Sequence, residues 1–132
     1  MPEIENKEPV STNKKKILIV EDERPLAHAL ELKLNNSGYE TAIVSTGKDA
    51  IEEASNKEFD LILLDLIIPG VDGFQVLEEL HKKKLKTPIV VLSNLGQAED
   101  QERAEKFGVT KYCVKANTPL VTIVNTIKSI VK

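Results

Sequence analysis

Four short strand-like stretches in this 132-residue chain end in side chains that can do chemistry. Residues 17–20 lead into Glu21 and Asp22, residues 61–64 into Asp65, residues 89–92 into Ser93, and residues 111–114 into Lys115. Taken singly, an acidic pair at a strand end is commonly a solvated loop, a serine there a helix cap, and a lysine a surface charge. Their joint occurrence is what points to a site. Three carboxylates on one edge repel one another by about 1 kcal/mol per pair at 4 Å in water, and by several-fold more at a protein-like dielectric. Glu21, Asp22 and Asp65 contribute -3 and Lys115 +1, which leaves -2, the complement of one divalent cation. Hard oxygen ligands, few enough to leave waters in place, suit Mg²⁺, and Mn²⁺ could substitute. A carboxylate beside such an ion can attack phosphorus and form an aspartyl phosphate. The cation and an ammonium then offset charge on the phosphoryl oxygens while a hydroxyl donates to one of them. Asp65 follows the most apolar run and is the expected nucleophile. Glu21 and Asp22 are then the metal ligands, Lys115 the partner of the acyl phosphate and Ser93 its hydrogen-bond donor.

Side chains so far apart in sequence meet only if the strands lie in one sheet. The apolar runs alternate with helical patterns, the signature of βαβ units and a parallel sheet buried on both faces. Strands are predicted at 17–20, 39–45, 59–64, 89–92 and 111–114. The first helix, 24–37, has Pro25 in its first turn, Leu26, Leu30 and Leu34 at four-residue spacing, and Gly38 as its stop. The second, 46–57, has Thr46 and Asp49 in capping spacing, with Ala50, Ile51 and Ala54 inward. A loop over 65–73 contains Pro69, Gly70 and the Asp72–Gly73 pair as turn formers, before a helix at 74–84. The helix at 98–107 has few apolar anchors, mainly Ala104 and Phe107, and is expected to be the loosest element. The last segment, 120–131, is rich in β-branched residues that also fit a strand. Its apolar positions keep helical spacing, and Thr118–Pro119 makes a helix start. In open parallel sheets ligands bind beyond the carboxyl ends of the strands, where all five candidate residues fall.

Composition narrows the function classes. The chain carries 18 basic and 21 acidic side chains, a net charge of -3 that argues against a nucleic-acid binder held by phosphate contacts. Cys113 is the single cysteine, so there is no internal bridge and no zinc-type spacing, and it reads as a small core residue. Residues 1–13 are polar, lack the apolar stretch of a secretory signal and read as a flexible tail. Lys14, Lys15 and Lys16 read as a solvated approach to the first strand. No apolar run approaches the roughly 20 residues of a membrane span. The expectation is a soluble, cytoplasmic chain with one domain over residues 14–132. His28 and His81 have no matching ligands and are read as incidental.

The stretches 16–23 (KILIVEDE), 59–73 (FDLILLDLIIPGVDG), 88–93 (PIVVLS) and 111–115 (KYCVK) together resemble the receiver domain of two-component response regulators over about residues 14–132. The resemblance implies an α/β, flavodoxin-like (βα)5 three-layer sandwich with a five-stranded parallel sheet of order 2-1-3-4-5. It implies that Asp65 accepts a phosphoryl group from a histidine kinase or phosphotransfer protein. Asp22, Asp65 and the backbone carbonyl of Ile67 would ligate Mg²⁺, with Glu21 acting near it, often through water. Ser93 takes the position of the hydroxyl that moves toward the phosphoryl group, and Tyr112 that of the aromatic that turns inward behind it. Their movement would shift the face of helix four, strand five and helix five.

Three departures from the family pattern stand out. Lys115 is followed by Ala116 where the family usually has proline, so a trans peptide is the default there. Asn94 stands where a small residue is usual and could crowd or contact the phosphoryl site. Ile67 and Leu95, two beyond Asp65 and Ser93, are both apolar and would exclude attacking water.

The chain ends about one helix after the fifth strand, so output is expected through protein contacts, with a downstream target or a homodimer on the helix-five surface. No enzymatic activity is expected beyond self-phosphorylation and self-dephosphorylation. A Mg²⁺-dependent phosphohydrolase with an Asp nucleophile is the first alternative, but its haloacid-dehalogenase form needs an acid two residues on, where Ile67 stands. A flavodoxin would want a phosphate-cradling loop where Glu21, Asp22 and Glu23 stand. A degenerate receiver acting as a protein-binding module sits poorly with the intact acid, hydroxyl and lysine set.

Overall fold

Strands that are apolar on both faces must be covered on both faces, and the chain does this with alternating helices. The computed structural model describes residues 14–132; the predicted tail at 1–13 lies outside the described residues. In chain order the elements are β1 (Lys16–Val20), α1 (Arg24–Asn36), β2 (Glu40–Val44), α2 (Gly47–Asn56) and β3 (Leu61–Leu64), followed by α3 (Gly73–Lys82), β4 (Ile89–Ser93), α4 (Ala98–Glu105), β5 (Lys111–Val114) and α5 (Leu120–Ile130). A 3-10 turn, Lys115–Asn117, follows β5. The strands pair in parallel in the order β2-β1-β3-β4-β5, the 2-1-3-4-5 order expected, with β3 central.

Alternation along each strand divides the core in two. Leu18, Val20, Ile62, Leu64 and Val91 pack toward α2, α3 and α4. Ile17, Ile19, Leu61, Leu63, Val90 and Leu92 pack toward α1 and α5. Each such aliphatic side chain, taken fully out of water, contributes about 1.5–3 kcal/mol against the entropy of ordering the chain. The final segment is helical as its spacing predicts: Ile123, Val124 and Ile127 are buried on one stripe, so packing overrides β-branched propensity. Helix α4 buries only Ala104 of its own residues, in line with its sparse anchors. Arg103 adds a cation over the Phe74 ring, 4.0 Å from its centroid.

The structure corrects two local readings. The helix starts one residue earlier than read: Gly73 opens α3, and Asp72, at the end of the loop, is its N-cap in a reciprocal capping box with Gln75. Gly70, one of the expected turn formers, takes a φ of +79°. Thr118 does not cap α5, since Pro119 holds the N-cap position and the Thr118 hydroxyl donates to the Val114 carbonyl at 2.8 Å. Thr46 behaves as read, accepting from the Asp49 N–H at 3.1 Å.

Candidate functional site

Strand register assembles the site. Val20 pairs with Leu64, and the Asp65 N–H donates to the Val20 carbonyl at 3.0 Å, so the residues that follow β1 and β3 leave the sheet side by side. On the other flank Ser93 pairs with Val114, which sets Ser93 beside the residue before Lys115. Beyond Asp65 the chain turns tightly against α3. A Cβ on Gly73 would lie 2.3 Å from the Leu66 Cα, and the Gly73 N–H donates to the Leu66 carbonyl at 3.0 Å, so the backbone after Asp65 seats directly on the start of the helix.

Glu21, Asp22 and Asp65 each present a carboxylate oxygen within 4.8 Å of the others'. Glu21 and Asp65 are buried, whereas Asp22 is exposed. A cleft of about 540 Å³ opens on the Asp22 side, lined in part by Glu21, Asp22, Arg24, Thr46 and Pro69. The oxygen-only donor set, its burial and its surplus of negative charge fit a hard divalent cation. Lys115 compensates from the opposite side. Its Nζ donates to Asp65 Oδ2 at 2.8 Å and reaches Glu21 Oε1 at 3.0 Å and Glu23 Oε2 at 3.1 Å. Glu23 is the partner that sequence reasoning missed. It is the N-cap residue of α1 but makes no side-chain cap bond. The acidic run 21–23 was the available signal, and only the fold reveals that Lys115 lies within its reach.

Burial shifts the charges in opposite directions. Desolvation raises the Glu21 carboxyl above its ordinary range, assisted by the negative charge of Asp65 and opposed by the bonds from Lys115 and the Glu23 N–H. For Lys115 burial alone would lower the ammonium pKa, but hydrogen bonds and attraction from Asp65 and Glu21 outweigh it, and the net shift is upward. Lys115 is therefore a fixed cation at any pH at which the protein works.

The remaining predicted residues surround this pair. Asp65 Oδ1 accepts from the Ile67 N–H at 3.0 Å, and Ile67 is 54% exposed. Ser93 is fully buried, and its Oγ accepts from the Leu95 N–H at 3.3 Å. The Tyr112 hydroxyl donates to the Leu95 carbonyl, and burial raises its pKa, with Asp100 and Asp65 adding to the effect. The Asn94 side-chain oxygen accepts from the Ala116 N–H at 3.1 Å. The described residues contain no cis peptide bond, so Lys115–Ala116 is trans as expected. Cys113 is a buried free thiol with its pKa raised by desolvation, fitting a core role. His28 lies 3.6 Å from Glu31 on the surface, and His81 packs edge-on to Phe107.

The five-stranded parallel sheet covered on both faces, with an acidic cluster and a lysine at its carboxyl edge, has the architecture of a receiver-type α/β domain. The chain belongs to the response regulator receiver domain family, whose model matches residues 17–127. It is 34% identical over 100 residues to the cell cycle response regulator CtrA of Brucella ovis, an alignment covering 76% of this chain and 43% of that protein. The chain thus spans less than half the length of the curated relatives it matches. Among solved structures it is similar to the non-phosphorylated HemR receiver domain of Leptospira biflexa (TM-score 0.84, 26% identity, 90% of this chain and 95% of that one). It is also similar to a CheY-like receiver domain protein of Methanospirillum hungatei (TM-score 0.83, 25% identity, 89% and 93%). Among the described residues no helix is long and apolar enough to cross a membrane.

Proposed function

We propose that residues 14–132 act as a phosphoacceptor receiver in a two-component phosphorelay in the cytoplasm, with Asp65 as the phosphorylated residue. The observation that carries this reading is the buried Asp65 carboxylate, bonded to Lys115 at 2.8 Å and within 4.8 Å of oxygens of Glu21 and Asp22. A carboxylate oxygen of Asp65 attacks the phosphorus of a phosphohistidine on a histidine kinase or phosphotransfer protein. The new P–O bond forms as the P–N bond breaks, and the electron pair leaves with the imidazole nitrogen. Asp22, Asp65 and the Ile67 carbonyl would hold Mg²⁺, or Mn²⁺ in its place, with Glu21 acting through water, and the cation would supply charge neutralisation at the phosphoryl oxygens.

Lys115, held protonated by its acidic neighbours, re-pairs from Asp65 Oδ2 to the acyl phosphate without giving up a proton. Ser93 accepts its present bond through Oγ, which leaves its hydroxyl proton for a phosphoryl oxygen. Because Tyr112 is bonded to the Leu95 carbonyl, two residues from Ser93, a shift of Ser93 is carried to Tyr112 and to the α4–β5–α5 face. That face binds a downstream protein target or a second copy of the chain, without direct nucleic-acid contact.

The test is addition of acetyl phosphate, or beryllofluoride, with Mg²⁺ to wild type and Asp65→Asn. Amide shifts over residues 93–115 that depend on the metal and vanish in the variant support the reading. A wild type that does not respond favours the degenerate receiver, and sustained turnover of small phosphate esters favours the phosphohydrolase.

A further inference from the structure

The two departures that flank the site, Asn94 and Ala116, form one contact. Asn94 Oδ1 accepts from the Ala116 N–H at 3.1 Å, across two loops that are 22 residues apart in sequence. A proline at position 116 would have no N–H to give, so this bond exists only because residue 116 is not proline. We propose that Asn94 is a positioning residue for Lys115, acting through the Ala116 amide. The inference rests on the phosphoacceptor reading for its kinetic consequence, but its structural content stands apart from it.

The argument is one of fastening. Lys115 opens the 3-10 turn Lys115–Asn117, and its long flexible stem aims correctly only if the backbone under it is fixed. On the strand side Val114 is held by pairing with Ser93, and its carbonyl is taken by the Thr118 hydroxyl at 2.8 Å. Within the turn the Thr118 N–H reaches the Lys115 carbonyl at a longer 3.3 Å. The Asn94 bond is the fastening from outside the turn, and it falls on the residue directly after Lys115. Asn94 also directly follows Ser93, so the same bond ties the Ser93 loop to the backbone that aims Lys115 at Asp65. A stiff pyrrolidine ring is thereby replaced by a cross-loop bond, which holds the turn yet lets it follow Ser93.

The experiment uses the full chain as wild type, Asn94→Ala, Ala116→Pro and the double variant. With acetyl phosphate and Mg²⁺, Asn94→Ala is expected to slow phosphorylation at saturating donor by about three- to tenfold, the effect of losing one modest hydrogen bond. The Mg²⁺ concentration for half-effect should stay unchanged, since the acid cluster is untouched. In the unphosphorylated protein the Ala116 amide should exchange faster, and the Lys115 side-chain NMR signals should move toward those of exposed lysines. Adding Asn94→Ala to Ala116→Pro should slow the reaction no further, because the donor is already gone. Wild-type rate and unmoved Lys115 signals in Asn94→Ala overturn the proposal, as do additive effects in the double variant. If Ala116→Pro fails to fold, the Asn94→Ala measurements decide alone. If wild type is not phosphorylated at all, the phosphoacceptor reading falls while the amide exchange and Lys115 signals still decide the role of Asn94.

Discussion

Lys115 Nζ lies 2.8 Å from Asp65 Oδ2, and both groups are nearly out of solvent, with side chains 10% and 4% exposed. The same nitrogen serves Glu21 and Glu23, so among the described residues it is the one cation bonded to three carboxylates. Lys115→Met removes it and leaves Glu21 and Asp65 buried without compensation. We expect a loss of about 3 kcal/mol in urea unfolding at neutral pH without divalent ions, the scale for breaking a buried pair from one side. Added Mg²⁺ should restore part of the loss. A loss below about 1 kcal/mol would show that solvent or Ser93 already relieves the acids.

Asp22 tests the cluster from its exposed side. It stands close to two acids and makes no bond to Lys115, so its charge is mainly a liability until a cation arrives. Asp22→Asn should leave the metal-free protein as stable as wild type or more so, by up to about 1 kcal/mol, the repulsion of one pair at 4 Å in water. Its thermal midpoint should no longer rise with Mg²⁺. An undiminished Mg²⁺-dependent rise would remove Asp22 from the metal site.

Much of this arrangement was legible in the chain because it depends on strand ends, and strand ends follow from apolar runs. Asp65 could be placed beside Glu21 once the resemblance supplied the order 2-1-3-4-5, which makes the strands read at 17–20 and 59–64 neighbours, and the Val20–Leu64 register bears this out. Contacts made by loops were not legible. Glu23 reaches Lys115, and Asn94 reaches Ala116, only through the direction each loop takes after its strand. The capping role of Asp72 was missed because aspartate before glycine also marks a turn, and the decisive partner was Gln75, three residues on.

Ile67 is 54% exposed while its N–H is bonded to Asp65 Oδ1, so an apolar, solvent-accessible residue lies two positions from the proposed phosphoacceptor. Leu95 is half-buried against the core instead, and its carbonyl is held by Tyr112. If Asp65 is phosphorylated as proposed, both apolar side chains are expected to screen the acyl phosphate from water. Once phosphorylated, Ile67→Asn should lose the label severalfold faster than wild type, measured by release of inorganic phosphate after donor removal. Leu95→Glu should also speed the loss, accompanied by lower stability because Leu95 packs partly buried against the core. Wild-type lifetimes in both variants would end the screening account.

Tyr39, 8% exposed, donates its hydroxyl to the Val131 carbonyl at 2.7 Å and so ties the residue before β2 to the C-cap of α5, 92 positions away. Tyr39→Phe keeps the ring but leaves that buried carbonyl without its donor, at an expected cost of about 1–2 kcal/mol at pH 7. Burial raises the phenol's pKa above 10.0, so the folded state keeps a proton that the unfolded chain releases. The contribution is therefore complete below pH 10.0 and is lost as pH climbs through the higher folded value. Wild type should lose stability faster than Tyr39→Phe above pH 10.0, and the gap between their urea midpoints should narrow there. A gap of constant size from pH 7 into the alkaline range would mean that the phenol proton takes no part in holding α5 to the sheet.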